Sequence, residues 1–232
     1  MHRSRVLHFW EHNPDAVLNN ERSDHRDPLT TKGGDVTYVF QTQYEGTDPS
    51  MLIDNMGMFN EIVKGSGSSG MVLLQGIAGG EFTGLCTAAS FWDSVQAGWD
   101  GLSSLYADPR VQALADNASM TAVGRNVAKV ELVHGDCSGN YAGVTMFTGD
   151  LPNENEFAHI SAIADASGVN GIRISQALAA GSNSGTRAAV FYCDSLNNWA
   201  DLMGTLRSDP AFLIGGARTG FVPVARMLAA IH

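Results

Sequence analysis

The hydrophobic positions of this chain fall into two runs that read alike. From Asp35 the segment DVTYVFQTQYEG alternates with the period of two expected of a half-buried strand. TDPS follows as a helix start with Pro at the first helical position, and MLIDNMGMFNEIVKG carries Leu52, Met56, Phe59 and Ile62 or Val63 on one helical face. MVLLQGIAG and GLCTAASFW then read as two strands joined by the turn residues GGEFT. Asp93-Ser94, with Gln96 three positions beyond Asp93, resembles a capping box and opens a second helix that Asp108-Pro109 is expected to stop. A looser segment leads to a last strand around VGRNVAKVELV. The order is β-α-β-β-α-β.

The same order returns in the second run. AGVTMFTG reads as a strand, NENEFAHISAIADASG as a helix, GIRISQALAAG and GTRAAVFYC as a hairpin, SLNNWADLMGTLR as a helix, and FVPVARMLAAI as the closing strand. From about Asn55 to Val130 the two runs align without a gap at a shift of 101 residues, with Gln75/Gln176, Gly84/Gly185, Asp93/Asp194, Asp108/Asp209, Pro109/Pro210 and Arg125/Arg226 among the identical pairs. Residues 1–34 break the pattern, with four of the seven histidines, charges of both signs and little periodicity. They read as an N-terminal arm. His8 and His12 would share one face of a helix, but no third ligand is placed to complete a metal site. The organisation expected is an arm over 1–34 and two repeats over 35–136 and 137–232.

A βαββαβ unit is the ferredoxin-like arrangement, an antiparallel sheet with both helices on one face. One such unit leaves its other sheet face bare, and two units packed sheet to sheet bury it. In this the chain resembles the dimeric α+β barrel superfamily, with both halves of the usual homodimer fused. The resemblance covers residues 35–232. It is carried most by the second-helix ends WDGLSSLYADP and WADLMGTLRSDP, which are similar to those of antibiotic-biosynthesis-monooxygenase and stress-responsive members. It implies an α+β fold of tandem duplicated ferredoxin-like units forming an intrachain dimeric α+β barrel. It also implies a pocket in each half between sheet and helices, which relatives use for cofactor-free oxygenation, cyclisation, isomerisation or haem chemistry. Fusion makes such a barrel self-contained, so a monomer or a homodimer is expected.

Charge narrows the partners. A net charge of −10 with only three lysines (Lys32, Lys64, Lys129) argues against nucleic acid or an anionic membrane surface. No apolar run has transmembrane length, and MHRSRVLHFWEHN is too polar and broken for a secretory signal. Cys86, Cys137 and Cys193 lack CxxC spacing, which reads as reduced thiols in a cytoplasmic protein. A phosphate loop, a nucleophile elbow and a zinc signature are all missing from the sequence.

Most of the repeated residues read as architecture: Asp93 and Asp194 as caps, Gly84 and Gly185 as hairpin exits, the Asp-Pro pairs as stops. Gln75 alternates with Met71, Leu73 and Ile77, and Gln176 with Ile172, Ile174 and Leu178, so each amide sits on an apolar strand face as a core group or a ligand contact. Arg125 and Arg226 lie among aliphatic residues, as solvated heads, salt-bridge partners or anion contacts. The differences between the runs are more informative. Met58 becomes His159, Phe91 becomes Tyr192, Val72 becomes Arg173 and Cys86 becomes Arg187. If the second hairpin closes around Ser182–Ser184, Ile174 faces Tyr192 and Gln176 faces Val190. That brings Gln176 and Tyr192 to one sheet face, beneath the helix that carries His159. Arg173 and Arg187 would then look into the barrel and pair across the halves. His134 and Asp136 fall in a Gly-rich linker. Trp92, Trp99 and Trp199 read as core or pocket walls.

These readings converge on a small-molecule enzyme without an organic cofactor, an oxygenase, cyclase or isomerase acting on an aromatic or polyketide-like compound. His159 and Tyr192 are the catalytic candidates, one as base and the other as donor to the oxyanion formed. Gln176, Gln75, Tyr38 and Arg226 are the candidate substrate contacts, and no metal is expected. The alternatives are a haem protein with His159 or His134 as axial ligand, and a non-catalytic binding module.

Overall fold

The computed structural model describes residues 37–46, 48–115 and 119–232, all within the unit Thr31–His232. The arm and its His8/His12 pair lie outside the described residues. In the first run come β1 (Tyr38–Gly46), α1 (Ser50–Asp54), α2 (Met56–Gly65), β2 (Gly70–Ala78), β3 (Cys86–Trp92), α3 (Val95–Ala107), α4 (Pro109–Ala115) and β4 (Met120–Gly135). In the second come β5 (Tyr141–Thr148), α5 (Glu154–Ala166), β6 (Gly171–Ala179), β7 (Arg187–Cys193), α6 (Leu196–Ser208), α7 (Pro210–Thr219) and β8 (Val222–Ile231).

Eight strands close into one antiparallel barrel in the order β1-β3-β2-β8-β5-β7-β6-β4. Each run contributes four contiguous strands. The seams are β2–β8, with Gln75 opposite Ala230, and β4–β6, with Lys129 opposite Gln176. Period-two alternation divides every strand between lumen and helices. In β1, Val39 packs inside with Ala89 and Ala128, while Phe40 points outward to Leu102 and Leu105. Small residues such as Ala89, Ala128, Ala142 and Ala229 fill much of the lumen, as the narrow interior of an eight-stranded barrel requires. The larger cores lie outside it. Trp92, Leu73 and Val63 anchor the first, and Ile172, Leu202 and Leu206 the second.

Three local expectations are corrected. The caps are not the aspartates but the serines after them: Ser94 Oγ accepts from Ala97 N–H at 3.1 Å and Ser195 Oγ from Asn197 N–H at 3.2 Å. Gln96 instead donates to Asp100 at 2.9 Å. The first helix of the first run is two helices, broken at Asn55, whose φ of −104° and ψ of 7° leave the helical region. Asp-Pro does not simply stop a helix. Asp209 Oδ1 accepts from Phe212 N–H at 2.7 Å and Pro210 takes the first position of a new helix, α7. An acceptor followed by a residue with φ already fixed is a helix start as much as a stop.

Candidate functional site

A cavity of about 300 Å³ lies between the outer sheet face of the second run and helices α5, α6 and α7. Its size falls at the lower end for small-molecule sites. Ile172, Ile174, Ala189 and Phe191 form the sheet wall, Met203 and Leu206 come from α6, and Phe212 and Phe221 close the α7 side. Phe221 links two of the aromatic walls, 4.9 Å from Phe147 and 6.0 Å from Phe212 between ring centroids. The clamp of α5 on α7 is polar and external. Asn153 and Glu156 make a reciprocal capping box, and Arg218 holds the same Glu156 carboxylate through two hydrogen bonds. Gly215 lets the helices approach, since a Cβ there would sit 3.1 Å from Glu156 Oε1.

Two polar groups interrupt the apolar lining in ways that carry chemistry. His159, on α5, has Nε2 2.9 Å from Asp209 Oδ1. The Phe212 N–H at the start of α7, joined by the His159 contact, holds the Asp209 carboxyl below the usual carboxylate range. An ionised carboxylate only accepts, so Nε2 carries the proton and Nδ1 keeps its lone pair in the neutral ring. The second group is Arg226. It lies on β8 directly opposite Thr145, and both line the cavity. Its Nε is buried and has no hydrogen-bond partner among the described residues, a costly state unless a ligand supplies the acceptor.

Of the residues expected from sequence, the cavity gathers His159 and Arg226. It does not gather Tyr192. The β6–β7 register pairs Ile174 with Ala189 and Gln176 with Arg187, three residues off the pairing read from the hairpin. An odd slip sends every side chain to the other face. Phe191 therefore faces the helices, and Tyr192 faces the lumen, where its hydroxyl accepts from Arg173 at 2.9 Å. Gln176 keeps the parity of Ile174 but is not on the cavity wall. Gln75 meets His232 Nε2 at 3.1 Å through Oε1. Tyr38 opens β1 between Trp92 and Lys129, in the first run.

Arg173 looks into the barrel as expected. Arg187 has the parity of Ala189 and Phe191, which face the helices, and its guanidinium pairs with Glu131 at 2.9 Å. His134 lies within β4 rather than in a linker. It meets Asp165 on α5 at 2.8 Å, and Asp136 accepts from Ser138. Sequence reasoning missed Asp209, Phe212 and Phe221 as site residues because the stretch that forms α7 was assigned no element and Asp209-Pro210 was read as a stop. The signal available was the Asp-Pro start followed by AFLIGGART. Among the described residues, no group of three or more His, Cys, Asp or Glu could hold a metal. None of their helices is long and apolar enough to cross a membrane.

No family model and no curated protein matches this chain. Solved structures do. A protein described provisionally as a chlorite dismutase aligns over 86% of this chain and 96% of its own, at a TM-score of 0.53 and 11% identity. An anthrone oxidase-like protein aligns over 86% and 92%, at 0.52 and 10%. A mutant chlorite dismutase from Candidatus Nitrospira defluvii aligns over 84% and 91%, at 0.51 and 12%. At these identities the likeness establishes the fold.

Proposed function

We propose that this chain, which carries the dimeric α+β barrel fold with both halves in one polypeptide, is an enzyme that removes a proton from a small aromatic or polyketide-like compound. The observation that carries this is the meeting of His159–Asp209 with the Arg226 Nε, buried and without a hydrogen-bond partner among the described residues, on one apolar cavity. His159 Nδ1 is the base, Asp209 fixes the tautomer and stabilises the imidazolium, and Arg226 receives the enolate or phenolate oxygen. Phe147, Phe212 and Phe221 supply flat apolar walls for the ring system. Proton abstraction is the shared first step of cofactor-free oxygenation, cyclisation and isomerisation, so the reading covers all three.

The reading takes no resident cofactor. Both histidines of the haem alternative already present Nε2 to a carboxylate, at 2.9 Å in His159 and 2.8 Å in His134. The cavity of about 300 Å³ is small for a porphyrin. As arranged, these residues do not fit a haem.

Anthrone, whose methylene is acidic, is a suitable probe because an anthrone oxidase-like protein shares the fold. Exchange of that methylene proton into deuterated buffer, followed by NMR, should be catalysed by the parent. His159→Ala should slow exchange by about 100-fold or more. Asp209→Asn keeps an acceptor at the α7 start but loses the charge, and should slow exchange at least about tenfold with little change in stability. Tyr192→Phe should leave it intact. Unchanged exchange in His159→Ala would sink the assignment, and a Soret band on adding haem would overturn the cofactor-free reading.

A further inference from the structure

A second concavity opens on the other side of the sheet, at one end of the barrel. Its volume is about 450 Å³. Its walls come from the ends of strands that meet there: Gly70, Met71 and Val72 begin β2, Phe91 nearly ends β3, and Val130 and Val133 lie late in β4. Val72, Phe91 and Val130 pack on the lumen cluster of Val39, Ala89 and Ala128, so the floor is apolar.

Two cations line this space, Arg173 near the start of β6 and Lys64 at the end of α2, and no carboxylate does among the described residues. In a chain of net charge −10, a pair of cations at one mouth with no carboxylate on the described lining is a local departure from the protein's overall charge. Arg173 is held in place. Its guanidinium lies 4.3 Å from the Phe91 ring centroid and donates one hydrogen bond, at 2.9 Å, to the Tyr192 hydroxyl. Arg173 lines the concave space, and among the described residues no other side chain takes a hydrogen bond from the remaining donors of its five-donor fork. The stack fixes the plane of the fork before any ligand arrives, which lowers the ordering cost of binding.

We infer that the barrel mouth is a second ligand site, separate from the His159 cavity, and that it takes a small organic carboxylate. The Arg173 fork matches a carboxylate in two-point fashion. Lys64 adds a second positive charge, and Phe91, Val72 and Val130 receive the apolar body. The alternation of β6 keeps this site apart from the other, since Arg173 sits between Ile172 and Ile174, which line the His159 cavity on the opposite face.

The test is a titration of the full chain at low salt with benzoate, followed by saturation-transfer NMR, with inorganic phosphate in a parallel arm. Benzoate should bind saturably and weaken with added salt. Arg173→Met should weaken it about tenfold or more, and Arg173→Lys should recover only part, having charge without the fork. Lys64 is exposed, so Lys64→Met tests the claim without touching the core and should weaken binding a few-fold. His159→Ala and Arg226→Met should leave benzoate binding unchanged. Absence of saturable binding, or insensitivity to both Arg173→Met and Lys64→Met, would overturn the proposal. Loss of binding in Arg226→Met would move the ligand to the other cavity, and phosphate binding as tightly as benzoate would remove the organic carboxylate as the ligand class.

Discussion

The same fold layer is filled in the first run and open in the second, and exchanges at four positions account for the difference. In the first run Thr42 lies on β1 opposite Ala88 and Arg125; in the second, Thr145 lies on β5 opposite Ala189 and Arg226. Around Thr42 the neighbours are tyrosines. Tyr106 Oη lies 3.3 Å from Thr42 Oγ1 and 3.2 Å from Tyr44 Oη, and its ring lies 4.5 Å under the Arg125 guanidinium. Burial and the neighbouring Tyr106 push the Tyr44 hydroxyl well above its ordinary range. In the second run Arg207 stands for Tyr106 and Phe147 for Tyr44, and both line the cavity beside Arg226. The acid changes partner too. Asp108 holds Arg110 two residues on, whereas the corresponding Asp209 has Ala211 there and meets His159, the counterpart of Met58. A duplicated layer can keep its backbone and acquire a site by exchanging the residues that filled it.

The largest effect that would break this comparison sits where the two layers solve one packing problem in opposite ways. Phe40 on β1 packs against Gly98 on α3, where a Cβ would come within 2.2 Å of the ring; Gly143 on β5 packs under Trp199 on α6, where a Cβ would come within 2.1 Å of the indole. The ladder makes Phe40 and Gly143 equivalent, opposite Ser90/Val127 and Phe191/Leu228. Gly143→Phe alone should cost about 3 kcal/mol through overpacking, and Trp199→Gly a similar amount through lost contacts and helix propensity. Combining them recreates the first run's arrangement. Urea denaturation should then show a favourable coupling of about 2 kcal/mol. Strict additivity would mean that the two layers are not interchangeable solutions.

That swap also marks what was legible in the sequence. The order of elements, the pairing of halves and His159 as a difference between them could be read from periodicity and one ungapped alignment. The Phe40/Gly98 and Gly143/Trp199 exchange could not, because β1 and β5 align two residues away from the shift that relates the rest. Only the hydrogen-bond ladder reveals it. Tyr192 failed for a related reason: its face depended on the β6–β7 register, and the turn around Gly181–Asn183 is a 3₁₀ segment whose closure point turn chemistry did not fix. Asp209 carried a start signal and a stop signal at once, and the stop was read.

The second comparison is Phe91 against Tyr192, equivalent positions that both face the lumen. Burial raises the Tyr192 hydroxyl to about 12, against the lowering influence of Arg173. A pKa raised on folding means the native state keeps its proton longer than the unfolded chain does. Its contribution is therefore complete below pH 10 and is lost as pH rises from there to about 12. The loss amounts to roughly 2–3 kcal/mol. Tyr192→Phe restores the first run's residue and should flatten the stability profile over that interval relative to the parent. At neutral pH it should cost about 1 kcal/mol for the hydrogen bond with Arg173. Parallel profiles for parent and variant would show that Tyr192 ionises as freely in the native state as in the unfolded one.

The smallest change in stability belongs to the exchange that should matter most for ligand retention. Arg207→Tyr with Phe147→Tyr copies Tyr106 and Tyr44 into the second run, where Thr145 and Arg226 already stand as Thr42 and Arg125 do. Arg207 is exposed, so removing its charge costs little. The added ring would have a cation to cover and a threonine hydroxyl to meet, as Tyr106 has. Stability should stay within about 1 kcal/mol of the parent, while native mass spectrometry should show a ligand kept by the parent and lost by the variant. The reverse pair, Tyr106→Arg with Tyr44→Phe, removes the fillers of the first layer but leaves Met58, which is no base, where the second run has His159. It should open space there and gain no catalysis of proton exchange. If the filled second run still retained ligand, the cavity would not be where that ligand sits, and the contrast between the two layers would concern packing alone.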